Sequence, residues 1–87
     1  MAASTEGLSD KALSILIFAA YYRLVSGQRV ATVVRRDGHG HEADAEGLAE
    51  LEQRGLASAT ADQIALKPEA EDFLDALIVS LHRQVGR

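Results

Sequence analysis

Leu48-x-x-Leu51-Glu52-Gln53-Arg54-Gly55-Leu56, seven small or polar residues, then Ile64-x-Leu66-Lys67-Pro68-Glu69: the reading of this stretch decides the fold. It has the order of a helix end, a glycine stop, a short β-hairpin and a helix begun by proline. Gly55 occupies the position just past a helix, where the backbone turns to positive φ and only glycine does so cheaply. Pro68 falls in the first turn of the following helix, where a missing N–H removes no hydrogen bond. Between them the spacing predicts strands near 56–59 and 63–67, turning at 60–62.

That layout resembles the second half of winged helix-turn-helix domains, as in small bacterial transcription regulators of the MarR, PadR and ArsR kinds. The resemblance covers roughly residues 9 to 85. It implies a mainly α fold with a small β-hairpin, three helices before the hairpin and one after it. Ser9 suits the N-cap of a first helix running to about Ser26, with Gly27 as its stop. Gln28 to Arg36 has two readings. Val30, Val33 and Val34 fit helical spacing, and the β-branched richness fits a strand. The helical reading makes it the second helix, with 37–41 as the turn and a third helix opening at Glu42 or Asp44 and ending at Arg54. The inward face of that third helix is expected to be Ala45, Leu48 and Leu51, and its outward face Glu42, Glu46, Glu50 and Gln53. The last helix, Pro68 to about Val85, carries acids in its first turn and His82 and Arg83 in its last, which suits the helix dipole.

Eighty-seven residues make one domain, with 1–8 expected as a loose N-terminus. Without cysteine there is neither a disulfide nor a thiolate metal site, and a reduced cytoplasm is the expected compartment. The formal charge of −4 is unevenly spread. Residues 23–41 carry Arg23, Arg29, Arg35 and Arg36 against Asp37 alone, whereas residues 42–75 carry ten carboxylates against Arg54 and Lys67. The apolar run Ala12 to Tyr22 is too short for a bilayer, which needs about 20 such residues. Glu6 and Asp10 before it, and Tyr21-Tyr22-Arg23 after it, do not suit a secretory signal. No membrane is expected as a partner.

The run also organises the first helix. Leu13, Leu16, Ile17, Ala20 and Leu24 share one face, and Ile15, Phe18, Tyr22 and Val25 lie nearly opposite. A helix apolar on two sides needs cover on both. A domain this small supplies one cover, so a homodimer is expected, with Ile15, Phe18 and Tyr22 joined at the interface by Phe73, Leu77 and Leu81 of the last helix.

His39-x-His41-Glu42-x-Asp44 places four possible metal ligands within six residues. Gly38 and Gly40 loosen that backbone, and a solvated turn before an acid-started helix is the reading adopted, with no metal. Gly38-His39-Gly40 lacks the preceding strand and following Lys-Ser/Thr of a phosphate loop. No nucleophile–base or paired-carboxylate pattern stands out, so neither an enzyme nor a cofactor is expected.

Two functions remain. The first is a dimeric DNA-binding transcriptional regulator. Arg35, Arg36, His39 and His41 would hold phosphates beside the turn, and Gln53, Arg54, Thr60 and Gln63 would reach toward the grooves. The second follows from a departure from the family pattern: the recognition helix shows glutamates where a DNA reader shows Ser, Thr, Asn, Gln or Arg. Glu42, Glu46 and Glu50 would then meet a basic protein partner, in an adaptor or inhibitor. Lys67 is a second departure, since the family usually has a capping Thr there and ammonium accepts no hydrogen bond.

Overall fold

Helix α1 (Asp10–Ser26) begins where Ser9 Oγ accepts the Ala12 N–H, and ends at Gly27, whose φ of 72° lets its N–H reach back to the Arg23 carbonyl. A computed structural model describes residues 5–36 and 42–86. In chain order the elements are α1, β1 (Thr32–Val34), α2 (Ala45–Gln53), β2 (Ala57–Ala59), β3 (Gln63–Leu66) and α3 (Pro68–Gln84). The protein is mainly helical, with one three-stranded antiparallel sheet in the order β1-β3-β2.

The second half follows its sequence pattern. Asp44 caps α2 by accepting the Gly47 N–H, and Gly55 stops it at φ 71°. The β2–β3 hairpin pairs Ala57 with Leu66 and Ala59 with Ile64. Pro68 starts α3, and Lys67 before it makes no side-chain cap.

Residues 28–36 do not form a helix. Thr32–Val34 is a strand pairing antiparallel with β3, Val33 opposite Ile64, so the expected two-stranded hairpin is part of a three-stranded sheet. The physical reason is the free edge that Gln63–Leu66 offers to a β-branched run. Val33 turns into the core while Thr32 stays exposed, the alternation of a half-buried strand. The first helix of the expected helix-turn-helix is therefore absent from the described residues, and the expected turn at 37–41 lies outside them.

The core joins Ile15, Leu16, Val33, Leu48, Leu51, Leu56, Ile64, Leu74 and Ile78 with five alanines and Leu66. Leu16, Leu51, Leu56, Ile64 and Leu74 are its largest fully buried side chains, each stabilising by roughly 1.5–3 kcal/mol. Two expected faces change. On α1 the buried face is Ala12, Ile15, Leu16, Ala19 and Ala20, while Ile17 and Leu24 face solvent. On α2 Ala45 is exposed and Gly47 is buried in its place. A Cβ on Gly47 would stand 2.4 Å from the Lys11 carbonyl oxygen, so glycine is what lets α1 and α2 cross this closely. Leu8 packs against the core and the Glu6 carbonyl accepts from Arg54.

Candidate functional site

The ends of the sheet and of α2 sort the candidate residues into two places. Arg35 follows β1 directly, and its N–H donates to the Asp62 carbonyl at the tip of the β2–β3 hairpin. Its guanidinium donates to the Thr60 carbonyl at 3.0 Å. Thr60 in turn closes the hairpin, giving its N–H to Gln63 O at 2.8 Å and receiving the Gln63 N–H on Oγ1 at 3.1 Å. Arg35, Thr60 and Gln63 therefore form one cluster at one end of the sheet. Arg36 and Glu42 stand beside it, joined by an isolated antiparallel bridge and an ion pair of 3.2 Å across the segment that holds His39 and His41. Those two histidines lie outside the described residues.

Gln53 and Arg54 do not join them. They end α2, about 13 Å along its axis from the end nearest Arg35. Arg54 turns to the N-terminal segment and donates to the Glu6 carbonyl at 2.7 Å. The groove-reaching set is split between the two ends of a helix.

The acidic face of α2 is also rearranged. Glu50 is not directed outward: its carboxylate accepts the Ser9 N–H at 2.9 Å and the Ser9 hydroxyl at 2.6 Å. These hydrogen bonds hold the Glu50 carboxyl below its ordinary 4.5. Glu46 meets Lys11 at 2.8 Å, a pair exposed on both sides, and the hydrogen bond raises the Lys11 ammonium. Glu42 faces Arg36. Of the three glutamates a helical wheel reads as outward, Glu50 alone is half-buried, against the N-terminus of α1, while Glu46 and Glu42 stay exposed beside their cations. What α2 presents to solvent is Ala45, Ala49 and Gln53, with exposed Glu46 and Glu52 beside them.

The polarised charge is largely answered within the chain. Arg29 reaches Glu71 at 3.1 Å, Asp75 at 3.3 Å and Asp72 at 3.4 Å on α3. Asp75, the nearest in effect, raises the Arg29 pKa further above its already high value. Arg23 also pairs with Asp75. Sequence reasoning noted these arginines without finding their partners, which lie more than forty residues away.

The apolar candidates divide as well. Ile15 is 3% exposed, so it belongs to the chain's own core and not to an interface. Phe18, Tyr22, Phe73 and Leu77 are half-buried and Leu81 is exposed. Tyr21, missed in the sequence, is 57% exposed and forms an aromatic cluster with Phe18 and Tyr22. Ile17, Leu24 and Val25 extend this outer face of α1, and Val79 and Val85 are exposed on and after α3. Among the described residues no group of three or more His, Asp or Glu could hold a metal, and no helix is long and apolar enough to cross a membrane. No family model, no curated protein and no solved structure matches the chain.

Proposed function

We propose that this chain is a protein-interaction module of winged-helix type, acting as a homodimer without chemistry of its own. The observation that carries the reading is the outer face of α1. Ile17, Tyr21, Leu24 and Val25 are exposed on a helix whose other face already fills the core. Contiguous exposed apolar surface of this kind marks protein contact. The winged-helix reading draws support from α2 leading through Gly55 into the β2–β3 hairpin and on to α3. The solvent face of α2, small residues flanked by Glu46 and Glu52, suits a basic protein partner better than a phosphate backbone. A Lys/Arg-rich probe peptide titrated onto the protein tests this. Binding that weakens in E46Q/E52Q supports the reading, and absence of binding at low salt overturns the choice of a basic partner.

A second reading, DNA binding, is favoured by Arg35. Among the described residues its guanidinium meets a carbonyl and no carboxylate, and it stands beside Thr60 and Gln63. If that cluster holds phosphates, duplex DNA binds with a steep salt dependence. R35A/R36A then flattens the slope by about two contacts per subunit. On that reading E46Q/E52Q strengthens DNA binding by removing repulsion, the opposite sign to the first.

A further inference from the structure

The edge strand β1 has backbone groups that nothing in the sheet uses. Leu66 N–H donates to Ala31 O, and Arg35 N–H donates to Asp62 O. With Val33 opposite Ile64, Ala31 and Val33 turn their backbone groups to β3, as does the Arg35 N–H, while the Arg35 carbonyl accepts the Ala43 N–H at 2.9 Å. Thr32 and Val34 point theirs the other way, off the edge of the sheet, where no backbone hydrogen bond from the described residues meets them. A strand edge of this kind is a template for pairing with another strand.

The ground beside this edge is apolar. A groove of about 310 Å³ runs along it, lined by Tyr22 and Ser26 of α1, by Val30, and by Thr32–Val34. Tyr22 touches Phe18 edge-on, with ring centroids 4.9 Å apart, and both pack with exposed Tyr21. On the helical wheel Phe18 and Val25 neighbour Tyr22 on the flank that looks over β1. The groove thus continues onto an uncharged aromatic flank of α1.

We propose that the occupant of this edge is β1 of a second copy of the chain, paired antiparallel about Val33. This rests on the homodimer reading above and names its interface. In that register Thr32 of each copy lies opposite Val34 of the other. Their outward N–H and C=O groups then form two hydrogen-bonded pairs. Arg35 lies opposite Ala31, and the paired stretch ends there because Arg36 is already bridged to Glu42, so no like charges face each other. The two-fold axis of an antiparallel pair stands perpendicular to the sheet. The three strands of each copy become one continuous six-stranded sheet, and both α1 helices lie on the same face of it. Each α1 then covers the other's Phe18, Tyr22 and Val25 flank. An unrelated extended peptide would satisfy the edge hydrogen bonds but would leave that helix flank in water.

The register is tested by cross-linking. The chain has no cysteine of its own. An antiparallel hydrogen-bonded pair sets Cα atoms about 5.5 Å apart, within disulfide range, whereas Thr32 and its own copy are separated by more than about 7 Å. An oxidised equimolar mixture of T32C and V34C therefore gives a covalent dimer that neither variant gives alone. A second variant, V34P, removes an N–H that points off the edge and leaves the β3 ladder intact. Val33 before it is already extended, as proline requires. With its fold checked by circular dichroism, V34P raises the dimer dissociation constant about thirtyfold through two lost hydrogen bonds. No excess cross-link in the mixture, or an unweakened folded V34P dimer, overturns this interface while sedimentation still shows a dimer. A wild-type monomer at tens of micromolar overturns the homodimer reading with it.

Discussion

Replacing Gly47 with alanine sets two effects against each other. Gly47 lies inside α2 with ordinary helical geometry, so helix propensity alone predicts that alanine stabilises by about 1 kcal/mol. The tertiary structure predicts the reverse. The added Cβ would stand 2.4 Å from Lys11 O, 2.6 Å from Lys11 C and 2.9 Å from Ala12 N. All three are backbone atoms of α1, so no side chain can swing aside. Carbon atoms settle near 3.5 Å, so the helices must part by about 1 Å. The neighbouring contacts of Ala12, Leu48 and Leu51 would loosen with them, because a gap of that size forfeits roughly a quarter to a half of each contact's attraction. Overpacking of this kind costs about 1–3 kcal/mol, and an obstacle made of backbone places it at the upper end. Set against the propensity gain, the net loss is about 1–2 kcal/mol. For a domain of this size that lowers Tm by roughly 5–15 °C. Urea denaturation and a thermal scan of G47A measure it directly. A variant as stable as wild type, or more stable, would refute the close crossing of α1 and α2.

The remaining expectations concern single ends and contacts. Glu50 is held below 4.5 by Ser9, so its contribution to stability is present above that value and is lost as pH falls through the lowered pKa. E50Q should be less stable than wild type at neutral pH, and the gap should close in denaturation curves taken at progressively more acid pH. A gap that does not depend on pH would remove the carboxylate from the account. At the start of α3, K67D supplies the side-chain acceptor that Lys67 lacks and should stabilise by about 1 kcal/mol, read as a shift of the urea midpoint at unchanged slope. G55A forces an alanine to φ 71° and should cost roughly 1–2 kcal/mol in the same assay; no loss would argue against the left-handed stop after α2.

Ser9, Gly27, Gly55 and Pro68 were legible because each does something few other residues do, and does it locally. A hydroxyl caps, a glycine turns left, a proline starts a helix, and no distant neighbour is needed to decide it. Thr32–Val34 was not legible in the same way. Val30, Val33 and Val34 satisfy a helical and an extended pattern over so short a run. The choice falls to Ile64, thirty-one residues on, which supplies the pairing partner for Val33. The register of α1 was hidden for the opposite reason. A helix apolar on two sides does not say which of them turns to the core, and so Ile15 turned in while Ile17 and Leu24 turned out. Gly47 carries no sign of its role in the sequence, because its purpose is set by the backbone of another helix.

The same distinction governs the candidate site. Arg35, Thr60 and Gln63 meet because strand pairing brings the end of β1 to the hairpin tip, and their residue types had already marked them as polar contacts. Gln53 and Arg54 share those residue types but lie at the other end of α2, a separation that composition does not carry. Glu50 shows how a helical wheel drawn about the core axis misleads at a helix crossing. Its flank is not open solvent where α1 begins beside it, and Ser9 uses its carboxylate there, while Glu46 one turn away stays exposed beside Lys11. The free edge at Thr32 and Val34 was the least legible feature of all. Whether a strand ends as an edge depends on the order β1-β3-β2, and on which side of β1 that order leaves open. The backbone groups that result carry no residue identity for a sequence to display. Their use as an interface therefore has to be argued from register, and a register is what the mixed cysteine variants read.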